Sequence, residues 1–205
     1  MTANAEIWLI AAAGIAAAFA IGSLTSAVVV ARVMGAPDPR TAGSGNPGAT
    51  NMMRLAGRLG GSLTLVGDVL KGTIPVLIAG IWLGGWPLAA VAVAPFLGHL
   101  FPLYSGFRHG GKGVATAFGV LLAYAPWIAL ALAGTWLAAA ALFRYSSLSA
   151  LIAAASAPLW ILGLRPEPPL FAVGVVLAAL LIWRHEGNIR RLLRGEEGRI
   201  GEKAN

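Results

Sequence analysis

The 205-residue sequence is poor in charge and contains no cysteine. Only 11% of its residues are charged, whereas a soluble domain of this length keeps about a quarter of its residues charged. With 58% hydrophobic residues and a mean hydropathy of +0.76, the chain lacks the polar surface that a water-soluble globule needs. The absence of cysteine excludes disulfides, thiolate metal sites and cysteine nucleophiles. We therefore predict an integral membrane protein, with residues 1–205 forming one domain.

Basic residues are in excess, and the net charge is +7. No basic stripe with interleaved aromatic residues accompanies this charge, so we expect no nucleic-acid partner. In membrane proteins Lys and Arg collect on cytoplasmic loops, which is the expected source of the charge here. The segment from Met1 to Glu6 contains no Lys or Arg and so lacks the basic start of a cleavable signal peptide. The first apolar run is therefore expected to be retained as a helix.

Seven apolar runs predict an all-α, polytopic membrane bundle of about seven transmembrane helices, since a spanning helix needs about 20 mostly apolar residues. The fourth run is short, and five or six spans are the alternative if it is re-entrant. Gly-Pro-rich or polar stretches separate the later runs. The runs are Ile7–Met34, Leu59–Leu83, Pro87–Tyr104, Val114–Tyr124, Pro126–Phe143, Leu148–Leu164 and Pro168–Trp183.

The basic residues fall on alternate connections between these runs. Arg165 is the exception on the opposite side. This asymmetry predicts the N-terminus outside and the C-terminus in the cytoplasm. The basic residues on the predicted cytoplasmic side are Arg32, Arg40, Arg54, Arg58, Arg108, Lys112, Arg144, Arg184, Arg190, Arg191, Arg194, Arg199 and Lys203.

The first polar loop runs from Gly43 to Asn51 and is followed by Arg54. Its glycines and the Asn46-Pro47 pair allow a tight backbone in which successive N–H groups converge on an anion. Arg54 adds a planar charged fork. The alternative is a solvated loop that caps a helix, with Thr50 or Asn51 as the N-cap residue. The residues that supply neutral donors here are Ser44, Asn46, Thr50 and Asn51.

A second loop, Gly110-Gly111-Lys112-Gly113, opens directly into an apolar run. Backbone donors and the helix dipole favour an anion at such a helix N-terminus, and Lys112 supplies a full charge. The spacing is not that of a Walker A motif. The alternative is a lysine that marks the cytoplasmic end of a helix.

Two further polar stretches lie on the same predicted side. Arg144 and Ser147 precede the sixth run and are candidates for anion binding. The alternative is that Arg144 anchors at the membrane interface and Ser147 caps the next helix. His185 and Asn188 follow the seventh run, and they share a face if the helix continues. His185 suits general base catalysis at neutral pH, or it simply hydrogen-bonds a carbonyl.

The second run contains two charged residues, Asp68 and Lys71. Their spacing puts them on one helix face, where they can pair. Ionisable residues inside a span are costly and usually face a functional cavity, whereas the alternative is a structural ion pair between helices. The three histidines of the chain show no metal-ligand spacing, and the loops hold no carboxylate cluster. We expect no metal and no cofactor.

Taken together, these motifs resemble the PlsY family of bacterial acyl-phosphate:glycerol-3-phosphate acyltransferases. The resemblance covers nearly the whole chain in order, with His109 standing where the family usually has Lys or Gly. The matching segments are Gly22-Ser23, Gly43 to Arg54, Asp68-x-x-Lys71-Gly72, Gly98-His99-x-Phe101-Pro102, Gly110 to Thr116, Arg144-x-x-Ser147-Leu148 and Arg184-His185-x-x-Asn188-Ile189.

The resemblance implies transfer of a fatty acyl group from acyl phosphate to the 1-hydroxyl of glycerol 3-phosphate, giving 1-acylglycerol 3-phosphate and inorganic phosphate. It assigns acyl phosphate to Ser44, Gly45, Asn46, Ser147, His185 and Asn188, and glycerol 3-phosphate mainly to Arg54, Lys112 and Thr50. Further substrate-binding candidates are Asn51, Gly110, Gly111, Gly113 and Arg144. The proton of the attacking hydroxyl goes to a substrate phosphate, with His185 as the competing base.

Other expectations concern location and function class. The resemblance implies a monomer in the bacterial inner membrane, in contact with lipid, with its active site facing the cytoplasm. A transporter for phosphorylated small molecules is the runner-up, although the polar motifs map to one side rather than to the midplane. A lipid-binding scaffold is the third possibility.

Overall fold

The computed structural model describes residues 2–201, and Lys203 of the predicted cytoplasmic tail lies outside this range. Within those residues the fold is entirely helical, which confirms the predicted all-α class. A short 3₁₀ turn, Leu103–Ser105, lies between the fourth and fifth helices. The α-helices are α1 (Thr2–Gly22), α2 (Ser26–Met34), α3 (Ala49–Ala79), α4 (Gly85–Leu100), α5 (Val114–Tyr124), α6 (Pro126–Phe143), α7 (Ser146–Leu164), α8 (Pro168–Arg184) and α9 (Glu186–Arg194).

The outer faces of the helices carry large apolar side chains that the bundle leaves exposed, including Leu9, Val33, Trp127 and Leu142. A continuous apolar surface of this kind faces lipid. Within residues 2–201, five segments are long and apolar enough to cross a membrane, or six if the bent pair α8–α9 counts as one span. The chain is therefore an integral membrane protein.

The predicted number of about seven spans depends on the fourth apolar run, which forms α5. Its eleven residues extend roughly 16 Å, about half of a 30 Å hydrocarbon core. The described residues thus give five or six candidate spans, which is the alternative predicted for a short fourth run. The bounds of α5 and α6 agree with the predicted runs residue for residue.

The first apolar run, predicted at Ile7 to Met34, forms one candidate span from Asn4 to Met34, but it is not one continuous helix. The chain leaves helical geometry between Gly22 and Ser26. At the break, Lys71 Nζ donates to the carbonyl oxygen of Leu24 at 2.8 Å. Lys71 also pairs with Asp68 at 2.9 Å, and both side chains are buried. Lys71 stabilises the break because it donates to the Leu24 carbonyl oxygen, which has lost its helical N–H donor.

Glycines set the closest helix contacts. A Cβ at Gly98 of α4 would clash with the main chain of α1 at Phe19, and one at Gly22 would clash with Pro95 of α4. The same relation holds between α3 and α5 at Gly72 and Gly119. Small residues that let backbones approach are typical of helix association in membranes.

Two bends place the polar loops. In α3 the backbone leaves helical geometry at Ala56 and Gly57, where Gly57 adopts a φ of 67°. At the other end of the chain, α8 and α9 meet at His185 with an angle of 56°. The helix therefore does not continue straight through His185, and the condition under which His185 and Asn188 would share one helix face is not met. His185 instead forms the corner between the two helices.

Candidate active site

One cavity of about 1060 Å³ opens among the polar loops at one end of the bundle and extends between α5, α6, α7 and α8. Its polar end gathers side chains from four separate segments, and its other end is apolar. Residues at the polar end include Ser44, Asn46, Arg54, Lys112, Ser147, His185 and Asn188. Residues at the apolar end include Leu121, Leu132, Trp136, Ala154 and Leu177.

The structure brings nearly all predicted site residues together around this cavity. Two of them, Gly111 and Arg144, do not line it. Arg144 ends α6 in a left-handed conformation with a φ of 64°, its side chain is exposed, and its carbonyl oxygen accepts from Ile200 N at 2.7 Å. The remaining predicted residues line the cavity: Ser44, Gly45, Asn46, Thr50, Asn51, Arg54, Gly110, Lys112, Gly113, Ser147, His185 and Asn188.

The first loop is held in shape by Asn51, which is buried. Its Oδ1 accepts from Ser44 N at 3.0 Å, while its Nδ2 donates to the carbonyl oxygens of Pro39 and Ala42, each at 3.1 Å. These bonds occupy the Asn51 amide, so it positions the loop. The helix α3 begins after Gly48 without a side-chain cap, and the alternative of Thr50 or Asn51 as N-cap is wrong. The first N–H groups of α3 therefore remain donors at the cavity edge.

The second loop lies between α4 and α5. Gly113 adopts a φ of 81°, which favours glycine, and α5 starts immediately after it. Gly111 N donates to the carbonyl oxygen of His99 at 3.2 Å, and the imidazole of His99 leaves no room for a Cβ at Gly111. The loop thus presents Lys112 and the N-terminus of α5 to the cavity, an arrangement that favours an anion.

Burial lowers the pKa of Lys112 to about 8. The carboxylate of Glu197 acts in the opposite direction and favours the charged ammonium, while nearby arginines disfavour it. Because pH 7 is below this pKa, Lys112 carries its positive charge at pH 7. The arginines that contribute are Arg191, Arg184 and Arg54, so four cations surround this end of the cavity.

His185 is buried at the corner between α8 and α9. Its Nδ1 lies 2.8 Å from the carbonyl oxygen of Leu181. Because a carbonyl only accepts, Nδ1 carries the hydrogen, and the neutral ring offers Nε2 as its acceptor. The alternative of a histidine that bonds a carbonyl is thus correct for one ring nitrogen, and it leaves the other able to accept a proton.

Glu197 is the functional candidate that sequence reasoning missed. Its Oε1 accepts from Ser147 Oγ and from Asn188 Nδ2, each at 2.6 Å. Its Oε2 accepts from Arg191 Nε at 2.7 Å. Burial acts to raise the pKa of the Glu197 carboxyl, but the hydrogen bonds from these three residues outweigh it and hold the pKa below its ordinary value.

The tail reaches this place because α9 ends at Gly195, whose φ of 70° reverses the chain after the helix. In the sequence, the only indication of a turn that carries Glu197 back to the site is Gly195, followed by Glu196 and Glu197. A residue beyond the last helix has no apolar periodicity to place it, so the sequence indicated neither its position nor its partners.

A polar cluster in the helices borders the cavity beneath the second loop. His99 Nδ1 lies 3.3 Å from Thr116 Oγ1 and 3.8 Å from Asp68 Oδ1. Asp68 and His99 line the cavity, whereas Lys71 points to the break in the first span. Among the described residues, no group of three or more His, Asp or Glu side chains is arranged to hold a metal ion.

The chain is similar in sequence to known proteins. The sequence model of the family described as "Glycerol-3-phosphate acyltransferase" matches residues 12–195. A glycerol-3-phosphate acyltransferase of Thioalkalivibrio sulfidiphilus (strain HL-EbGR7) is 55% identical, over 95% of this chain and 96% of the relative. One of Halorhodospira halophila (strain DSM 244 / SL1) is 54% identical, over 89% of this chain and 93% of the relative.

Two crystal structures are also similar. Both are of PlsY (YgiH), an integral membrane glycerol 3-phosphate acyltransferase. The glycerol 3-phosphate form is 41% identical with a TM-score of 0.89, covering 93% of this chain and 96% of the other. The lysophosphatidic acid form is 40% identical with a TM-score of 0.87, covering 93% and 95%.

Proposed function

The chain belongs to the glycerol-3-phosphate acyltransferase family, and from this premise we propose that its acyl donor is a fatty acyl phosphate. The chain transfers an acyl group to glycerol 3-phosphate, as its family does. Membership of an acyltransferase family favours the enzyme over the transporter and scaffold alternatives. In the proposed reaction the 1-hydroxyl oxygen attacks the acyl carbon, and the bond from that carbon to the phosphate oxygen breaks. The products are 1-acylglycerol 3-phosphate and inorganic phosphate.

The observation that carries the proposal is the continuity of one cavity from a cationic end to an apolar end. An acyl phosphate has the same two parts, an anionic head joined directly to a hydrocarbon chain. The head fits the cationic end beside the loop of Ser44 and Asn46, and the chain fits the groove beside Leu132 and Trp136. The junction of the two parts, where the acyl carbon lies, falls near His185.

Direct transfer requires no covalent intermediate, because the acyl group of an acyl phosphate is already activated. The enzyme has to orient two anions and stabilise the charge that develops at the carbonyl oxygen. We assign Ser44, Gly45 and Asn46 to the acyl phosphate. Thr50, Arg54 and Lys112 then serve mainly glycerol 3-phosphate.

Ser147 and Asn188 reach the same wall of the cavity, where the Ser147 hydroxyl and one N–H of the Asn188 amide donate to Glu197. Their oxygen atoms are left to accept a hydrogen bond. The resemblance gives both residues to the acyl phosphate. Their accepting oxygens instead favour the glycerol hydroxyl, which needs an acceptor as it becomes the nucleophile, and we assign them to it. The hydroxyl proton has two candidate acceptors, a phosphate oxygen of the donor and Nε2 of His185. The donor phosphate is bonded to the reacting carbon and gains basicity as it leaves, which makes it the stronger candidate.

Segments from Ser44 to Glu197 contribute to one cavity, which supports a single domain. The cationic end of the cavity carries the basic loops, and such loops favour the cytoplasmic side. We thus place the site at the cytoplasmic face of the bacterial inner membrane, in a chain that acts as a monomer in contact with lipid.

Purified protein in detergent micelles tests the donor. Acyl phosphate, acyl-CoA and acyl carrier protein thioesters of one chain length are each supplied with glycerol 3-phosphate. We expect lysophosphatidic acid and an equal amount of inorganic phosphate with acyl phosphate alone. Turnover of a thioester with no phosphate released would contradict the proposed donor while leaving the acyltransferase activity in place.

A further inference from the structure

Arg184, the last residue of α8, binds the main chain of the loop before α5. Its Nη2 lies 2.7 Å from the carbonyl oxygen of Gly110, and its Nε lies 3.2 Å from that of Gly111. The guanidinium presents its donors in a planar fork, which suits two neighbouring oxygens. Both acceptors are main-chain atoms, so this contact depends on the path of the loop.

These two bonds fix the orientation of the peptide groups that precede Lys112. In a planar trans peptide the C=O and the N–H point in opposite directions. Holding the Gly111 oxygen against Arg184 therefore turns the N–H of Lys112 away from the guanidinium. The other side of the loop is tied by the bond from Gly111 N to the His99 carbonyl oxygen.

The loop has no room to move toward α4. A Cβ at Gly110 would clash with the carbonyl oxygen of Leu100, and one at Gly111 would clash with the imidazole of His99. The helix α4 supports the loop on one side, and Arg184 holds it on the other. The bond from Gly111 N to His99 also holds the Gly110 carbonyl oxygen, which belongs to the same peptide. Without Arg184, nothing among these contacts would keep the Gly111 carbonyl oxygen from rotating, and its negative end would repel an anion near Lys112.

We propose that Arg184 is a positioning residue for phosphate binding, which acts by holding the Gly110 and Gly111 carbonyl oxygens away from the anion and so orienting the backbone at Lys112. The inference rests on the proposed function, because it takes Gly110–Gly113 as a phosphate-binding loop. Arg184 works through the main chain of that loop, and its charge adds to the positive field of the cavity.

Arg184→Gln tests the proposal, with Arg194→Gln as the matched control. Arg194 is exposed at the end of α9, so its replacement removes an equal charge without touching the loop. We expect Arg184→Gln to raise the KM for glycerol 3-phosphate or acyl phosphate by about ten-fold or more, the equivalent of losing one charged hydrogen bond. The kcat should change less than the KM, and the control should stay within about two-fold of the wild type.

A pH profile separates positioning from general structural support. The charged groups that act on Lys112 are Glu197, Arg191, Arg184 and Arg54. Removing the Arg184 charge should move the alkaline limb of kcat/KM to higher pH. Arg184→Lys keeps the charge but replaces the fork with a point donor. That variant should leave the limb in place while its KM lies between those of the wild type and Arg184→Gln.

A KM within about two-fold of the wild type together with an unmoved alkaline limb in Arg184→Gln would overturn the proposal. If Arg184→Gln does not fold, Arg184→Lys decides: a raised KM supports the role, and a wild-type KM overturns it. A wild-type enzyme that uses another donor would overturn the proposed donor alone. The KM for glycerol 3-phosphate in the Arg184 variants would then still decide the role of Arg184.

Discussion

The Ser147 hydroxyl donates to the Glu197 carboxylate at 2.6 Å, across fifty residues of sequence. Ser147 lies in the first turn of α7, and Glu197 lies beyond the last helix. The same carboxylate oxygen accepts from Asn188 of α9. One side chain of the tail thus joins two elements of the cavity wall and fixes which atoms of Ser147 and Asn188 face the substrates.

Replacing Glu197 should therefore damage both stability and turnover. Glu197→Ala leaves three donors without their acceptor, and a hydrogen bond to a charged group contributes about 1.5–3 kcal/mol. We expect a lower thermal midpoint in detergent and a kcat reduced by about ten-fold or more, because Ser147 and Asn188 lose their orientation. Glu196→Ala is the control, since that side chain is exposed. Equal behaviour of the two variants would show that the tail carboxylate does not organise the site.

The activity should decline as the pH rises through about 8. Burial lowers the pKa of Lys112 to about 8, so its positive charge is complete well below that pH and is lost above it. The alkaline limb of kcat/KM reports this group in the free enzyme. Lys112→Arg should move the limb to above about pH 10, because a guanidinium keeps its proton there. A wild-type profile that stays flat across this range would remove the Lys112 charge from the mechanism.

His185→Asn distinguishes the two candidate bases. We expect the variant to lose less than about 100-fold in kcat, since the donor phosphate takes the proton and His185 mainly positions the substrates. The measurement is kcat and KM at saturating acyl phosphate. A larger loss in kcat with an unchanged KM, together with disappearance of the acidic limb of the pH profile, would instead make Nε2 of His185 the base.

Helix contacts at glycine give a prediction on stability. Gly98→Ala should lower the thermal midpoint by several degrees, because the added Cβ clashes with the main chain of α1 at Phe19. Gly134→Ala in α6 is the control, since a Cβ there meets nothing within 4 Å. The control should be neutral or stabilising by up to about 1 kcal/mol, as alanine favours a helix over glycine. Equal loss in both variants would argue against the glycine contact between α1 and α4.

The sequence predicts what depends on local composition. The bounds of α5 and α6 follow from the Gly113 and Pro126 boundaries around apolar runs, and the structure confirms them. Lys and Arg recur on alternate connections, and alternate connections lie on the same side of a membrane. This pattern predicts that the separate polar loops come together around one cavity. Neither inference requires knowledge of contacts between distant residues.

The sequence does not predict what depends on distant partners. The break near Leu24 is stabilised by Lys71, and neither residue alone indicates a break in an apolar run. The placement of Glu197 depends on the turn at Gly195. Arg144 was expected at the site because of its charge, but the left-handed end of α6 directs the chain differently. In each case the deciding contact joins segments that are far apart in sequence.

We expect the loops to form one anion pocket in which Lys112 acts and Arg144 does not. Initial rates of lysophosphatidic acid formation from acyl phosphate and glycerol 3-phosphate test it directly, with Lys112→Ala compared with Arg144→Ala at equal amounts of folded protein. We expect Lys112→Ala to lose about 100-fold or more, as a preorganised charge at the reacting centre is removed. Arg144→Ala should stay within about three-fold of the wild type, like other surface substitutions. Equal losses in both variants, or a rate for Lys112→Ala close to that of the wild type, would contradict the account.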